Sequence, residues 1–158
     1  MNSQQQILLN YSEYNSAEEL NDPDRQLLDA AKAATALAYA PYSKFNVGAA
    51  GRLYNGEIIT GGNLENVSFP AGLCAEGVVL ASAAARFPGV AMEAMAISYR
   101  SSLIESDHPI APCGICRQSL QEFSNRTHTS IKLILGGEKG KIFIIENAAT
   151  LLPFAFKF

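Results

Sequence analysis

The chain has 158 residues, 48% of them hydrophobic and 17% charged, with a formal net charge of −3. That length suits one domain around one core, the hydrophobic share excludes an intrinsically disordered chain, and the mild acid excess argues against a nucleic-acid partner. Charge below the roughly 25% usual in soluble domains suits a subunit that hides surface in an oligomer, and three cysteines, an odd number, point to joint chemistry rather than pairing.

Residues 1–22 are polar and aromatic without periodicity and read as an arm or a short extra helix. Only Ile7, Leu8 and Leu9 form an apolar run there, well short of the roughly 7–15 residues of a signal peptide. No stretch approaches the roughly 18–20 apolar residues of a membrane span. The sequence therefore predicts a cytoplasmic chain with reduced thiols and no membrane partner.

Asp22-Pro23 is a helix start signal, and apolar residues at helical spacing run from Leu27 to Ala40, where Pro41 stops them. Asn46 to Tyr54 and Glu57 to Thr60 alternate as strands, and Asn55-Gly56 predicts a two-residue hairpin turn. Residues 61–73 read as a loop, and Cys74 to Arg86 as a buried, Ala-rich helix ended by Pro88-Gly89. Ala94 to Arg100 is the next strand, residues 101–111 a surface loop, and residues 113–123 a helix. Ile131 to Leu135 and Lys141 to Ile145 are strands flanking Gly136-Gly137-Glu138-Lys139-Gly140. That turn is no phosphate loop, because a Walker pattern needs Gly at Leu135 and Ser or Thr at Ile142. The expected fold is a single α/β domain over residues 23–158, with a mixed five-stranded sheet and helices on both faces.

The chemistry concentrates in Pro112-Cys113-Gly114-Ile115-Cys116, a loop running into a helix. Two thiols three positions apart can meet on one ion, while N–H groups at the helix start stabilise thiolate charge. Cys74 also stands at a predicted helix start. Three sulfurs at two helix N-termini form a soft site suited to Zn²⁺, and three protein ligands leave a fourth position for water. Glu76 follows Cys74 by two residues, placed for proton shuttling with a raised pKa. Two plainer readings stand beside this one. The CxxC segment alone could be redox-active or structural, and a fourth ligand from His108 or His128, the only histidines, would close a Cys₃His site.

With these motifs the sequence resembles the small zinc-dependent cytidine deaminase family. The matching segments are Ala40-Pro41-Tyr42-Ser43 through Ala50, Gly62-Asn63-Leu64-Glu65-Asn66, Cys74-Ala75-Glu76, Pro112 to Gln118 and Leu151 to Phe156. The resemblance covers about Asp24 to the C-terminus and implies a three-layer α-β-α fold. It implies one Zn²⁺ per subunit on Cys74, Cys113 and Cys116, with Glu76 moving protons between water, the pyrimidine N3 and departing ammonia. Asn63 and Glu65 would hold ribose hydroxyls, Phe45 would flank the base, and the Ala75 backbone would read the pyrimidine edge. Read without the resemblance, Phe45 also admits a core reading, and Asn63 and Glu65 a turn reading. The resemblance further implies a homotetramer in which Phe154 and Phe156 reach a neighbour's site.

One position departs from the family pattern. Arg usually follows Cys-Ala-Glu, and here Gly77 does. Three thiolates on Zn²⁺ carry a net negative charge that such an Arg would offset, so Gly77 predicts weaker activity or a cation supplied from elsewhere, with Arg117 one candidate. The expected function is hydrolytic deamination of cytidine and deoxycytidine in pyrimidine salvage. Gly77 leaves open a modified cytosine nucleoside or nucleoside antibiotic as substrate. From a different class, the chain could be a catalytically weakened zinc-containing homologue that only binds nucleoside.

Overall fold

In the computed structural model, which describes residues 3–156, the first helix is α1 (Asp22–Ala34). Its start is fixed one residue earlier than the sequence signal suggested. Asn21 is the cap, its side-chain oxygen accepting the Asp24 N–H, and Pro23 occupies the first turn, where no N–H is needed. The helix ends at Ala34, where Thr35 Oγ1 donates to the Lys32 carbonyl and the chain tightens into a 3₁₀ turn over Thr35–Leu37.

Six strands form one mixed sheet: β1 (Ser12–Tyr14), β2 (Phe45–Leu53), β3 (Ile58–Gly62), β4 (Met92–Ser101), β5 (Lys132–Gly136) and β6 (Ile142–Ile145), in the order β1-β6-β5-β4-β2-β3. Five of them are the expected strands. The sixth, β1, comes from the segment expected to be an arm or short helix and pairs antiparallel with β6. Three residues are too few to show alternation. What holds them is tertiary, with Tyr11 against Phe143 and Lys141 on Glu13. The β2–β3 connection also differs from expectation. Only Gly56 has positive φ, and Leu53 exchanges backbone bonds with Gly56 and Glu57. The loop is therefore the three-residue kind, a turn followed by a left-handed glycine, rather than a two-residue turn that would need Asn55 left-handed as well.

The sheet separates two layers of packing. Ala50, Ala94, Ala96 and Ile134 face α1, meeting Leu27, Leu28 and Ala31. Ala49, Met95, Ile97 and Leu133 face the other way, against α2 (Ala75–Arg86) and α3 (Gly114–Thr127). This is the three-layer α-β-α arrangement, and the alternation follows from the two-residue period of strands.

Topology decides where α2 and α3 begin. Strands β3 and β4 are each antiparallel to β2 and so parallel to one another, and β5 is parallel to β4. Helix α2 links β3 to β4 and α3 links β4 to β5. Two crossovers of one hand, stepping in the same direction across the sheet, lie on the same face and start at the same edge. No helix among the described residues is long and apolar enough to cross a membrane.

On the opposite face, α1 lies very close to β2. A Cβ built on Gly48 would stand 2.2 Å from the Ala31 carbonyl oxygen and 2.5 Å from the Thr35 nitrogen. Both are backbone atoms that cannot swing aside. Gly48→Ala should cost about 2 kcal/mol, read as a lower urea midpoint with an unchanged slope.

Candidate active site

The site is assembled at that shared edge. Cys74 is the N-cap of α2 and Cys113 the N-cap of α3, both in extended backbone, and neither side chain is used to cap its helix. Cys116 lies in the first turn of α3 and is buried. The three sulfurs all lie within 4.8 Å of one another, with Cys74 Sγ and Cys113 Sγ 3.6 Å apart. Zn–S bonds of about 2.3 Å at tetrahedral angles place sulfurs about 3.8 Å apart, so the cluster fits a zinc ion. Both helix N-termini add positive potential where the sulfurs converge. The Cys74 thiol is held down to about 6, chiefly by the Cys116 thiol donating to it and then by Cys113, while the same interaction and burial push Cys116 up.

Neither histidine belongs to this cluster. His128 closes the far end of α3 in a left-handed conformation, and His108 bonds to Tyr99 and Asp107. The closed Cys₃His alternative therefore has no ligand in place. A simple CxxC redox pair leaves Cys74 unexplained.

Glu76 stands in the first turn of α2 with 5% of its surface exposed. Burial raises its carboxyl above the ordinary range, against smaller opposing effects from its own backbone N–H and the Cys116 thiol. It faces a cavity of about 720 Å³ that Cys74, Cys113, Ala75, Phe45, Asn63 and Glu65 also line. The expected catalytic and substrate residues thus share one concave site with Cys74 and Cys113, while Cys116 is buried behind its wall.

Asn63 and Glu65 are each held in place before any substrate arrives. Asn63 Oδ1 accepts the Val47 N–H at 2.8 Å and its Nδ2 donates to the Phe45 carbonyl at 3.0 Å. The Glu65 carboxylate accepts the Tyr42 N–H at 2.8 Å and the Ser43 N–H at 3.3 Å. Together with the Ser43 hydroxyl, these donors keep the Glu65 carboxyl below its usual range. These backbone partners were not anticipated as functional, although Tyr42 and Ser43 lie within a quoted motif. Ile110 and Ala111 also line the cavity, and no sequence signal marks them beyond their nearness to Pro112-Cys113.

Phe154 and Phe156 do not line this cavity. Phe154 is 95% exposed and Phe156 68% exposed, and the Phe156 backbone is bridged to the Gln118 side chain. Arg117 is engaged with backbone carbonyls, its Nε donating to Pro112 at 2.8 Å and its guanidinium to Leu151 at 3.1 Å.

Fold and site together define a three-layer α/β protein with a cluster of three cysteines, able to hold a metal ion, at the edge of a cavity and a buried carboxylate beside it. A profile described as "Cytidine and deoxycytidylate deaminase zinc-binding region" matches residues 21–131. The chain belongs to that family of zinc-dependent cytidine deaminases. It is 38% identical to the cytidine deaminase of Halalkalibacterium halodurans over 84% of this chain and 94% of that one. It is 37% identical to that of Sporosarcina psychrophila, over 83% and 89%. The crystal structure of the Burkholderia pseudomallei cytidine deaminase superposes with a TM-score of 0.70 at 38% identity, covering 83% of this chain and 97% of that one.

A Cβ built on Gly77 meets nothing within 4 Å, so a side chain can leave the helix there without a clash at its first atom. Gly77→Arg should raise zinc affinity roughly tenfold, the scale of outer-shell effects on bound metals, and gain about 0.8 kcal/mol from better helix propensity. Competition against a zinc chelator and a urea titration measure the two. Unchanged affinity would mean that the helix N-termini and Arg117 already balance the thiolates.

Proposed function

We propose that the chain catalyses hydrolytic deamination of cytidine and deoxycytidine to uridine and deoxyuridine with release of ammonia, in pyrimidine salvage. The observation that carries this reading is Glu76, buried on the wall of the cavity two residues from Cys74 and beside the three-sulfur cluster. Residues 23–158 form the catalytic unit.

Cys74, Cys113 and Cys116 hold zinc, which when bound supplies the Lewis acid that makes water acidic near neutral pH. Glu76 accepts the proton that water loses and delivers it to N3 of the pyrimidine, making C4 more electrophilic as the C4–O bond forms. It then takes the remaining proton from the oxygen now bonded to C4 and passes it to the amino nitrogen, so that the C4 carbonyl forms as the C4–N bond breaks and ammonia leaves. A buried carboxyl held above its ordinary range suits a group that must both take and give a proton.

The remaining residues orient the nucleoside. The first N–H groups of a helix have no intrahelical acceptor, and in α2 the Val78 N–H is the one that reaches back to the Cys74 carbonyl. The Ala75 N–H, at the first helical position, is thus a donor for the pyrimidine edge. Phe45 flanks the base. Asn63 keeps one amide hydrogen and Glu65 keeps carboxylate lone pairs beyond those already engaged, and these bind the ribose hydroxyls.

Three thiols kept for a metal suit a reducing cytoplasm. A homotetramer suits the exposed apolar side chains that lie outside the cavity, among them Ile115, Val67 and Phe154. Phe154 and Phe156 do not line their own cavity, which suits the expected contribution to a neighbour's site. The acidic balance speaks against nucleic acid as substrate. Gly77, standing where the family pattern has Arg, keeps a modified cytosine nucleoside as the second reading.

Ultraviolet absorbance should show the zinc-loaded protein converting cytidine and deoxycytidine but leaving a single-stranded oligonucleotide untouched. Glu76→Gln should lower the rate roughly 10²- to 10⁴-fold with zinc content unchanged. A fully zinc-loaded wild type inert on every cytosine nucleoside would sink the enzymatic reading in favour of a binding protein. Light scattering should give the mass of four chains.

A further inference from the structure

Tyr99 belongs to none of the motifs that define the site, yet it connects two of the cavity's walls. It sits on β4 directly opposite Val47 in the β2–β4 register, with Phe45 opposite Ser101. Phe45 and Tyr99 are therefore diagonal neighbours on one sheet face. Their rings stack at 4.9 Å between centroids and 22° between planes. Phe45 and Val47 both line the cavity, while Tyr99 is fully buried beneath them.

A buried phenol needs partners for its hydroxyl, and these come from the loop that leads to Cys113. The Tyr99 hydroxyl donates to the Glu105 carbonyl at 3.2 Å and lies 3.0 Å from His108 Nδ1. The imidazole is set edge-on to the Tyr99 ring and reaches Asp107 Oδ1 at 3.2 Å. Two residues beyond His108, the same loop presents Ile110 and Ala111 to the cavity.

The near side of that loop is already fixed. Ser106 Oγ accepts the Ser101 N–H at 3.1 Å, and the Ser106 carbonyl accepts the Glu138 N–H at 2.7 Å. A Cβ on Gly137 would meet the Ser106 carbonyl oxygen at 2.4 Å, and one on Gly140 the Asp107 oxygen at 2.0 Å. The turn from Gly136 to Gly140, which is no phosphate loop, is thus the bed on which residues 106–108 rest. Tyr99 and His108 carry that fixed position across to the cavity.

We propose that Tyr99 is a positioning residue for the nucleoside: its ring sets the plane of Phe45, and its hydroxyl, through His108, sets the wall formed by Ile110 and Ala111. This rests on the deaminase reading for the identity of the ligand. Neither side chain touches the sulfurs or Glu76, so the pair acts on substrate affinity and leaves the chemical step alone.

The test uses full-length, zinc-loaded protein and cytidine. Tyr99→Phe keeps the ring and removes the hydroxyl. It should raise KM about fivefold, the scale of one lost hydrogen bond, with kcat within twofold and zinc content unchanged. His108→Ala, which leaves the Glu105 bond in place, should raise KM by no more than that, and the double variant should be no worse than Tyr99→Phe, since both substitutions break the Tyr99–His108 link. Tyr99→Leu, which also removes the stack, should raise KM about tenfold or more. Amide hydrogen exchange at residues 103–111 should quicken in Tyr99→Phe and His108→Ala. Unchanged KM in both variants, additive effects in the double variant, or loop exchange identical to wild type would overturn the proposal. Should wild type fail to deaminate cytidine, the deaminase reading is what fails. The exchange experiment and calorimetric titration of the nucleoside into Glu76→Gln then still decide whether Tyr99 sets the wall.

Discussion

Three thiols that share one ion must be brought within a few ångströms, and each carries a charge the protein interior resists. The structure meets this demand with topology. Because β3, β4 and β5 run in one direction, the helices that follow β3 and β4 both begin at the same edge. Their N-termini converge from the same face, and the residues that open them are Cys74 and Cys113. Unsatisfied N–H groups and aligned peptide dipoles stabilise negative charge there. The parallel pairing of β4 with β5 therefore has a chemical consequence. An antiparallel hairpin at that point would carry no crossover helix, and Cys113 and Cys116 would have no helix start to sit on.

The same charge balance makes Gly77 the unusual position of the site. Three thiolates on a divalent cation leave one net negative charge, and the family's Arg after Cys-Ala-Glu would offset it at the first turn of α2. Here that turn has open space instead. Arg117 is nearby in sequence, but its guanidinium is committed to the carbonyls of Pro112 and Leu151. It steadies the segment entering Cys113 and supplies long-range positive potential rather than a direct bond to sulfur. The burden rests on the helix ends, which fall off within a turn. That explains why Cys74 and Cys113 stand at the caps themselves and Cys116 in the first turn.

Much of this was legible in the sequence where the signal is local. The five principal strands, the three main helices and the cysteine cluster follow from periodicity, from turn residues and from the spacing of Cys113 and Cys116. What was missed depends on contacts between distant segments. The strand Ser12–Tyr14 exists because β6 offers an open edge and Phe143 a surface for Tyr11. The hairpin at Asn55-Gly56 has the right residues but a three-residue geometry, because only Gly56 takes positive φ. The Tyr99–His108 pair had no local signal at all. Tyr99 reads as one more strand residue and His108 as solvated loop, and only the fold shows that the first needs a partner for a buried hydroxyl.

Asn63 and Glu65 show why a turn reading and a binding reading of the same residues are compatible. Each was open to interpretation as a residue that merely shapes a loop, and each does shape one, through the backbone of Val47 and Phe45 in one case and of Tyr42 and Ser43 in the other. An amide has two donors and two acceptor sites, and a carboxylate about four acceptor sites, so one or two bonds to the backbone leave capacity toward the cavity. A side chain fixed in this way loses little rotamer freedom when a ligand arrives, which lowers the entropy that binding must overcome. The segment from Tyr42 to Val47 is held by the very groups that line the cavity. Phe45 is then met from one side by Asn63 and from the other by Tyr99, so the cavity walls that carry Phe45, Asn63 and Glu65 form one connected unit.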